Sequence, residues 1–284
     1  MGDLVPVETI TGDSEPVLAG TETTGSLRLR QLRRQAGKTQ LWVEAEAELG
    51  SGYLQRLESG NVAQPERPTL SRILAALETR YSEQREVLEL FGYSMATPPP
   101  AGDDIVWAGI ICRRDLDEVA FPAYVLDCMH RLIAWNRHFA QFMAVPPDDP
   151  LLRRLEGHSL LAPWFDPDSP LAKLVAEPET FLPALIRALR YEHQQFRTEQ
   201  WYAVLLAQLI QDLPCFRHYW TMVQQEPSPA SAARARVPVR LIVPGAGILQ
   251  FRLSAEPFVR DARFRLIYYL PADPATMRWC VDCM

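Results

Sequence analysis

The sequence predicts a two-domain fold: an all-α domain of about five helices, then an α+β domain with a five-stranded antiparallel sheet and inserted helices. Apolar residues at helical spacing before residue 95 predict the first domain. Five short runs rich in β-branched and aromatic residues after residue 105, with helical segments between the second and the third, predict the second domain. Residues 96–104, ATPPPAGDD, should form a stiff Pro-rich linker between the two.

The charge of the chain is unevenly distributed. Its net charge is −6 over 284 residues. Residues 1–25 carry five acidic residues, no basic residue and no periodic apolar face, so we expect a flexible acidic tail. Residues 26–95 carry ten Lys or Arg and nine Asp or Glu, so the helical domain is almost neutral. The hydrophobic fraction of 48% is enough for a core in each domain.

Two features of the sequence predict a cytoplasmic protein with no membrane partner. The apolar runs are too short to span a bilayer, and no basic segment precedes an apolar stretch at the N-terminus. The five cysteines are odd in number and scattered, which disfavours the disulfide framework of a secreted protein. We expect thiols, including Cys280 and Cys283, because that pair could bind zinc only with ligands from elsewhere.

The sequence lacks the common catalytic and metal-binding motifs. The five histidines show no HExxH or comparable spacing, and there is no phosphate-binding loop or G-x-S-x-G nucleophile turn. Residues 244–247, PGAG, make a single glycine turn between two strands, which is typical of a hairpin. We therefore expect no enzymatic activity, no metal site and no required cofactor.

The stretch 39–60, TQLWVEAEAELGSGYLQRLESG, has the pattern of two short helices joined by a sharp turn. Five apolar side chains should point into one small core: Val43, Ala47, Leu49, Leu54 and Leu57. Five other residues should face outward: Gln40, Ser51, Gly52, Gln55 and Arg56. The stretch resembles the XRE or phage-repressor type of helix-turn-helix, and the resemblance extends over residues 26–93.

This resemblance implies that the second helix enters the major groove of DNA and contacts bases through Ser51, Gly52, Gln55 and Arg56. Gln can pair with adenine and Arg with guanine, at about 1 to 3 kcal/mol of discrimination for each good pair. Gln40 matches a residue that holds a DNA phosphate. The resemblance also implies a salt bridge between Arg33 and Glu58. In the loop that follows, Asn61 or Arg67 is a further candidate for a phosphate contact.

Four positions depart from the pattern of that family. Glu44 stands where a small residue is usual, and Glu48 replaces a glycine with positive φ, at a cost of about 1 kcal/mol. We expect either a remodelled turn or a looser crossing of the two helices. Leu41 and Trp42 place apolar side chains on the outer helix face. They are expected to be covered by another domain or a second subunit, or else Trp42 packs along its own helix.

Residues 121–136, FPAYVLDCMHRLIAWN, predict two strands, 123–126 and 131–135, followed by a helix at 137–143 that Asn136 should cap. This opening resembles that of a PAS-type sensor domain. The sequence then predicts helices at 151–156, 182–192, 201–213 and 214–223, and strands at 237–243, 247–253 and 264–269.

The order of helix-turn-helix, PAYVLD, LIAWN, LPCFRHYW, GILQFRLSAEPF and ARFRLIYYLPAD resembles the MmyB-like transcription regulators along nearly the whole chain. The resemblance implies a PAS-like ligand-binding domain over residues 105–284 and an apolar, fatty-acyl effector. Ten residues are candidates for the lining of a pocket of about 300 to 1,000 Å³: Leu132, Trp135, Phe139, Phe142, Met143, Phe216, Trp220, Leu249, Phe251 and Tyr269. The alternative is that these side chains form a solid core.

Arg190, Arg217 and His218 are candidate partners for the head group of such a ligand, because a buried carboxylate needs a charge-assisted donor. For Arg217 an ordinary surface position is the alternative. Together these features predict a one-component transcription regulator that binds operator DNA and a small apolar ligand.

Because one almost neutral helical domain neutralises few phosphates, we expect a homodimer on two half-sites about 34 to 36 Å apart. A protein-interaction module whose helical domain binds a protein, with no direct DNA contact, is the alternative. Steep weakening of binding by salt would indicate DNA.

Overall fold

The computed structural model describes residues 23–146, 148–226 and 238–282. The predicted acidic tail therefore lies outside the described residues except for its last three, and so do Val237 and Cys283. The chain divides into two compact units between Met95 and Ala96, here called unit 1 and unit 2. Among the described helices, none combines the length and the apolar character that crossing a bilayer requires.

Unit 1 contains the five predicted helices. They are α1 (Thr24–Gln35), α2 (Gln40–Glu46), α3 (Tyr53–Glu58), α4 (Arg67–Ala76) and α5 (Tyr81–Leu90). Thr39 caps α2, because its hydroxyl accepts the backbone N–H of Trp42 at 3.1 Å. The pattern of residues 69–79 predicts a helix that begins at Leu70, with Thr69 as its N-cap. This prediction of the helix start is wrong. The helix begins at Arg67, with Pro68 in its first turn, where proline is favoured.

The core of unit 1 is formed by apolar residues of all five helices. Each fully buried leucine contributes about 1.5 to 3 kcal/mol relative to an exposed one. The fully buried members are Leu29, Val43, Leu54, Leu57, Leu70, Ile73 and Val87. The predicted inward positions of the stretch 39–60 are confirmed, with Leu49 only partly buried at the edge.

Unit 2 contains one antiparallel sheet and a series of helices. The strands are β1 (Ala123–Asp127), β2 (Leu132–Trp135), β3 (Val239–Val243), β4 (Gly247–Pro257) and β5 (Phe264–Pro271). The helices are α6 (Asp103–Ile111), α7 (Arg113–Glu118), α8 (Arg137–Phe142), α9 (Pro150–Leu155), α10 (Leu161–Phe165), α11 (Pro170–Lys173), α12 (Pro178–Glu192), α13 (Gln200–Asp212), α14 (Pro214–Gln224) and α15 (Pro274–Asp282). A short 3₁₀ helix, His193–Phe196, follows α12.

The strand order is β2-β1-β5-β4-β3, so the predicted five-stranded antiparallel sheet is confirmed. Successive side chains of a strand point to opposite faces of a sheet. On β1, Tyr124 and Leu126 therefore join the main core, whereas Ala123 and Val125 join a smaller cluster with α6. Helices cover both faces, and the sequence analysis did not predict α6, α7, α10, α11 or α15.

Candidate functional site

Helix α3 turns one side toward the core of unit 1 and leaves the other open. Leu54 and Leu57 are fully buried, while Ser51, Gln55 and Arg56 are exposed. Gly52, at the cap of α3, has a φ of 76°. The candidate base contacts therefore lie where a DNA groove could approach them, and their contact with bases remains a prediction.

Glu44 of α2 binds the N-terminus of α3. Its side chain is only 5% exposed, and its carboxylate accepts the backbone N–H of Gly52 at 3.1 Å and that of Leu54 at 2.9 Å. A helix start leaves such N–H groups without intrahelical partners, and a glycine cap has no side chain to bind them. The carboxylate of Glu44 therefore replaces the missing N-cap side chain, which explains why a large acidic residue stands at this helix crossing.

Glu48 keeps the positive φ that the turn requires. Its φ is 53°, in the region that glycine adopts without steric cost. The backbone of the turn is therefore not remodelled at this residue. A side chain in this left-handed conformation costs about 1 kcal/mol of steric strain.

Glu58, the last residue of α3, is the centre of a second buried contact and is 2% exposed. Arg33 donates to both of its carboxylate oxygens, from Nε at 2.6 Å and from Nη2 at 2.9 Å. The salt bridge implied by the family resemblance is thus confirmed, and its hydrogen bond raises the pKa of Arg33. Gln40 also donates to Glu58, at 2.7 Å, through one of the two N–H groups of its amide. Glu44 therefore holds the first turn of α3, and Arg33 and Gln40 hold its last residue, Glu58.

An open concavity of about 520 Å³ lies beside α3. It brings together Gln40 and Gln55, which are fifteen positions apart in the chain. Ten residues line it: Arg30, Arg33, Arg34, Gly37, Lys38, Thr39, Gln40, Gln55, Glu58 and Ser59. The sequence places Arg30 and Arg34 four positions apart on the outer face of α1, but sequence reasoning assigned them no role. Lys38 lies after the end of α1, so helical spacing does not link it to them.

Leu41 and Trp42 are exposed in unit 1. The ammonium group of Lys38 lies 3.8 Å from the centre of the Trp42 ring, a cation–π contact within the same segment. Trp42 therefore packs along its own segment, and its burial by a second subunit remains a hypothesis. Asn61 is exposed, and its amide donates to Ser59 Oγ at 3.0 Å.

The main core of unit 2 gathers most of the candidate ligand-binding residues. Nine are buried in one cluster between the sheet and the helices, with Trp135 packed at its margin: Leu132, Phe139, Phe142, Met143, Phe216, Trp220, Leu249, Phe251 and Tyr269. Their aromatic rings touch, with 5.3 Å between the centres of Phe142 and Tyr269 and 5.7 Å between those of Phe216 and Trp220. The sequence prediction that these residues share one apolar region is correct, and their contact with a ligand remains a prediction.

A pair of tyrosine hydroxyl groups lies inside this apolar core. Tyr124 on β1 and Tyr269 on β5 are buried, and their hydroxyl oxygens are 3.4 Å apart. Sequence reasoning missed Tyr124. The two residues are 145 positions apart in the chain, and they meet because β1 pairs with β5. No local sequence pattern indicates this contact.

The three candidate head-group residues are half-buried or exposed. Arg190 donates to the carbonyl of Val223 at 2.6 Å. Arg217 and His218 are exposed, and Arg217 donates to the last carbonyls of α13, at Ile210 and Gln211. The expectation of a buried donor is wrong for Arg217 and His218. The apolar positions of α14, which are Phe216, Tyr219, Trp220 and Val223, occupy the inner face and leave 217 and 218 outside.

A concavity of about 480 Å³ lies at the β2 edge of the sheet, and its lining is charged rather than apolar. It is lined by Arg113, Asp117, Ile133, Ala134, Trp135, Asn136, Arg137, Asp148, Arg153 and Glu156. Trp135 belongs to the candidate ligand set, and Asn136 caps α8 as predicted, by accepting the N–H of Phe139 at 3.0 Å.

Thiols and acids do not gather into a metal site in the part of the chain that the structure describes, where no three His, Cys, Asp or Glu side chains come together suitably. Cys280 is a buried thiol, and Cys283 lies outside the described residues. Burial raises the pKa of Cys112 to about 11 and that of Cys128 to about 12, so both stay protonated near neutral pH.

Two family models match the chain. A helix-turn-helix domain matches residues 26–88, which contain most of α1, all of α2 to α4 and most of α5. The MmyB-like transcription regulator ligand binding domain matches residues 112–280, more than half of the chain. No curated protein matches it. With α3 exposed on one side and held at both ends, these matches identify a DNA-binding regulator, and the chain belongs to the MmyB-like transcription regulators, which carry a ligand-binding domain.

Proposed function

We propose that the protein is a one-component regulator that binds operator DNA as a homodimer and senses a fatty acid or acyl metabolite in a PAS-like domain. The observation that carries the proposal is the fixation of α3. Glu44 holds its first turn, and Arg33 holds its last residue, Glu58. Ser51, Gln55 and Arg56 stay exposed. A helix that is fixed in this way presents its outer side chains at a defined geometry, which base recognition requires.

The cations of the concavity beside α3 supply the phosphate contacts in this proposal. Unit 1 is almost neutral overall, but Arg30, Arg34 and Lys38 share this surface with Gln40. Local concentration of positive charge, rather than net charge, supports binding to a phosphate backbone. Since one copy offers few such contacts, two copies on half-sites about 34 to 36 Å apart would double them.

The sensor part of the proposal depends on the apolar core of unit 2. The helices between β2 and β3 and the five-stranded antiparallel sheet support a PAS-like fold. An acyl chain would lie among the aromatic and aliphatic side chains of the main core. The hydroxyls of Tyr124 and Tyr269 would bind its carboxyl group, because they are polar groups inside an otherwise apolar region. This assignment replaces Arg217 and His218 as head-group partners.

Native mass spectrometry of freshly purified protein tests the ligand. We expect a mass increase that corresponds to one acyl molecule for each chain, and its loss after denaturation and refolding without lipid. Tyr269→Phe removes one hydroxyl and should lower the occupancy, whereas Tyr191→Phe, at an exposed tyrosine of α12, should leave it unchanged. Protein without any bound lipid that also fails to bind added fatty acid would refute the sensor proposal.

Fluorescence anisotropy with operator DNA tests the first half of the proposal. Arg56→Ala should weaken specific binding by about 1 to 3 kcal/mol, and Arg72→Ala, at an exposed arginine of α4, should have little effect. Lys38→Ala should reduce the slope of affinity against salt by about one unit. Binding to a protein but to no DNA, at any salt concentration, would favour the interaction-module alternative.

Coupling of the two ligands tests the regulatory claim. A ligand can change DNA affinity only by as much as its own affinity differs between the two states of the protein, and the effect is reciprocal. We expect a coupling free energy of about 1 to 3 kcal/mol when DNA is titrated with and without fatty acid. Equal DNA affinities in the two titrations would contradict it.

A further inference from the structure

Helix α6 is apolar around its whole circumference. Residues 105–111, IVWAGII, are seven successive apolar residues. The inner side lies on the sheet, where Ala108 is fully buried and Trp107 contacts Phe258 and Phe264 with ring centres 6.2 Å apart. On the outer side Val106 is 59% exposed and Ile110 is 71% exposed. A helix that is apolar on all sides is normally covered on all sides, so this outer face calls for a partner.

The outer face carries an ordered pattern of charge. Asp103, Val106, Ile110 and Arg113 follow at spacings of three, four and three, which place them on one stripe of a helix. Cys112 joins α6 to α7 with helical dihedral angles, φ −87° and ψ −7°, so Arg113 continues the stripe. Asp103 and Arg113 are both exposed. The stripe therefore begins with an acid, ends with a base and is apolar between them.

This pattern is complementary to a second copy of itself. In a contact with two-fold symmetry, residue i of one chain meets residue j of the other, and j meets i. Antiparallel pairing about the level of Ala108 sets Val106 against Ile110 of the partner subunit. It also sets Asp103 against Arg113 of the partner subunit. Within one chain the two residues are about 15 Å apart along the helix axis, so the charge pairs lie at the two ends of the contact. Parallel pairing would instead oppose like charges at both ends.

We propose that α6 is the apolar centre of an antiparallel homodimer contact between two copies of unit 2. The proposal names the contact surface of the homodimer in the proposed function, and rests on that part of it. Stable interfaces bury about 1,200 to 2,000 Å² in total, with an apolar centre and a polar rim. Helix α6 supplies the centre, and α7, which follows it directly, carries exposed charges for one side of the rim.

Sedimentation of the full chain tests the contact. Val106→Glu and Ile110→Glu each place a charge at the centre, and both side chains are exposed in one chain, so the fold is preserved. The dissociation constant of the dimer should rise at least about thirtyfold, the effect of a substitution at the energetic centre of an interface. Ile242→Glu is the matched control, since Ile242 is an exposed isoleucine on β3 of the same unit. A wild-type monomer, or an equal loss in the control, would overturn the proposal.

Charge exchange tests the antiparallel orientation. Asp103→Arg alone and Arg113→Asp alone should each weaken the dimer, because each variant opposes like charges. The double variant carries both exchanges and should recover most of the wild-type affinity. Absence of recovery would overturn the antiparallel arrangement, as would a single variant with unchanged affinity.

Anisotropy with a DNA duplex that holds a single half-site separates this proposal from the proposed function. The Val106→Glu variant should bind the half-site as the wild type does, and should lose affinity only for the two-site operator. If the wild type binds both duplexes while Val106→Glu loses no affinity for the operator, the α6 contact is wrong and DNA binding stands. Failure of the wild type on both duplexes, with its dimer sensitive to Val106→Glu, would refute DNA binding and leave the contact intact.

Discussion

The two units bury charged side chains in different arrangements. In unit 1 the buried charges include the carboxylates of Glu44 and Glu58, and both bind α3 or its neighbours. In unit 2 the buried charges have both signs: the carboxylates of Asp127 and Asp261, and the guanidinium groups of Arg263 and Arg265. Burying a charge is costly unless it is paired and hydrogen-bonded, so each buried charge marks a place where geometry is strictly fixed.

The buried arginines of unit 2 lie at one end of the sheet. Arg263 donates to Asp261, to Asp104 at 2.9 Å and to the carbonyl of Pro98 at 3.3 Å. Arg265, opposite Leu126 on β1, contacts His130 at 2.7 Å. Charge is thus gathered near the β1–β2 turn and the start of β5, at one end of the strands.

Arg263 and three further side chains of unit 2 hold the segment that precedes α6. Arg131 donates to the carbonyl of Pro100, and Trp201 Nε1 donates to that of Thr97 at 2.7 Å. Glu199 accepts the N–H of Thr97 at 3.0 Å. The Pro-rich residues after Ala96 are therefore bonded along their length to unit 2. Unit 1 uses buried charge to position the element that would contact DNA, whereas unit 2 uses it to anchor a chain segment beside an apolar core.

The largest effect should come from Arg263→Met, which removes the guanidinium partner of the buried Asp261 carboxylate. Loss of one partner from a buried ion pair costs about 3 to 5 kcal/mol, so the free energy of unfolding of unit 2 should fall by that amount. Tryptophan fluorescence during denaturation by urea measures it, because six of the seven tryptophans lie in unit 2.

Arg260→Met provides the control for this change. Arg260 is exposed and only three positions away, so its loss should alter stability by less than about 0.5 kcal/mol. Equal destabilisation by the two substitutions would show that burial of Arg263 does not fix the segment.

A smaller effect is expected from Glu44→Ala in unit 1. It removes the acceptor for two N–H groups at the start of α3, and loss of such a cap costs about 0.5 to 2 kcal/mol. Hydrogen exchange of peptides from α2 and α3, measured by mass spectrometry, should show faster opening, and operator affinity should fall. Glu46→Ala, at an exposed residue of the same helix, should change neither quantity. Unchanged exchange in α3 would show that Glu44 is not its cap.

Periodic patterns explain how much of the fold could be predicted from the sequence. The five helices of unit 1 and the five strands of unit 2 follow from local spacing, and the Arg33–Glu58 pair from the family resemblance. Burial of Phe216 and Trp220 also follows from spacing. The same spacing places Arg217 on the outer face of α14, against the prediction that it binds the carboxylate of a ligand.

The remainder depends on contacts between distant segments. By side-chain volume alone, Glu44 does not fit the family pattern. Its carboxylate is explained by the N–H groups of Gly52 and Leu54, and the sequence pattern does not show that it meets them. Helix α6 was missed because a helix that is apolar on both sides lacks the amphipathic pattern that identifies helices. The hydroxyl pair of Tyr124 and Tyr269 requires knowledge of strand pairing, which local patterns do not contain.

Glu48→Gly should stabilise unit 1 modestly. At a φ of 53° a glycine avoids the steric strain of a side chain, worth about 1 kcal/mol, although its greater freedom in the unfolded chain removes part of the gain. Hydrogen exchange of unit 1 should slow, while that of unit 2 stays the same. Ala45→Gly, at an exposed residue within α2, should have the opposite sign because glycine weakens a helix interior. Destabilisation by Glu48→Gly would mean that the side chain of Glu48 contributes more than its strain costs.

The smallest effect concerns pH and a buried histidine of unit 2. Burial, and to a lesser extent the charge of Arg137, lower the pKa of His138 below its ordinary 6.5, and within the described residues its Nδ1 has no hydrogen-bond partner. The folded state therefore binds fewer protons than the unfolded state, so stability is complete above pH 6.5 and declines as the pH falls below it. Urea denaturation at pH 7.5 and pH 5.5, followed by tryptophan fluorescence, should show this loss. His138→Gln should reduce the loss, because glutamine cannot take up the proton, whereas His158→Gln, at an exposed histidine, should not. An identical pH dependence in wild type and His138→Gln would place the acid sensitivity of unit 2 elsewhere, with the buried charges at the end of its sheet as the next groups to test.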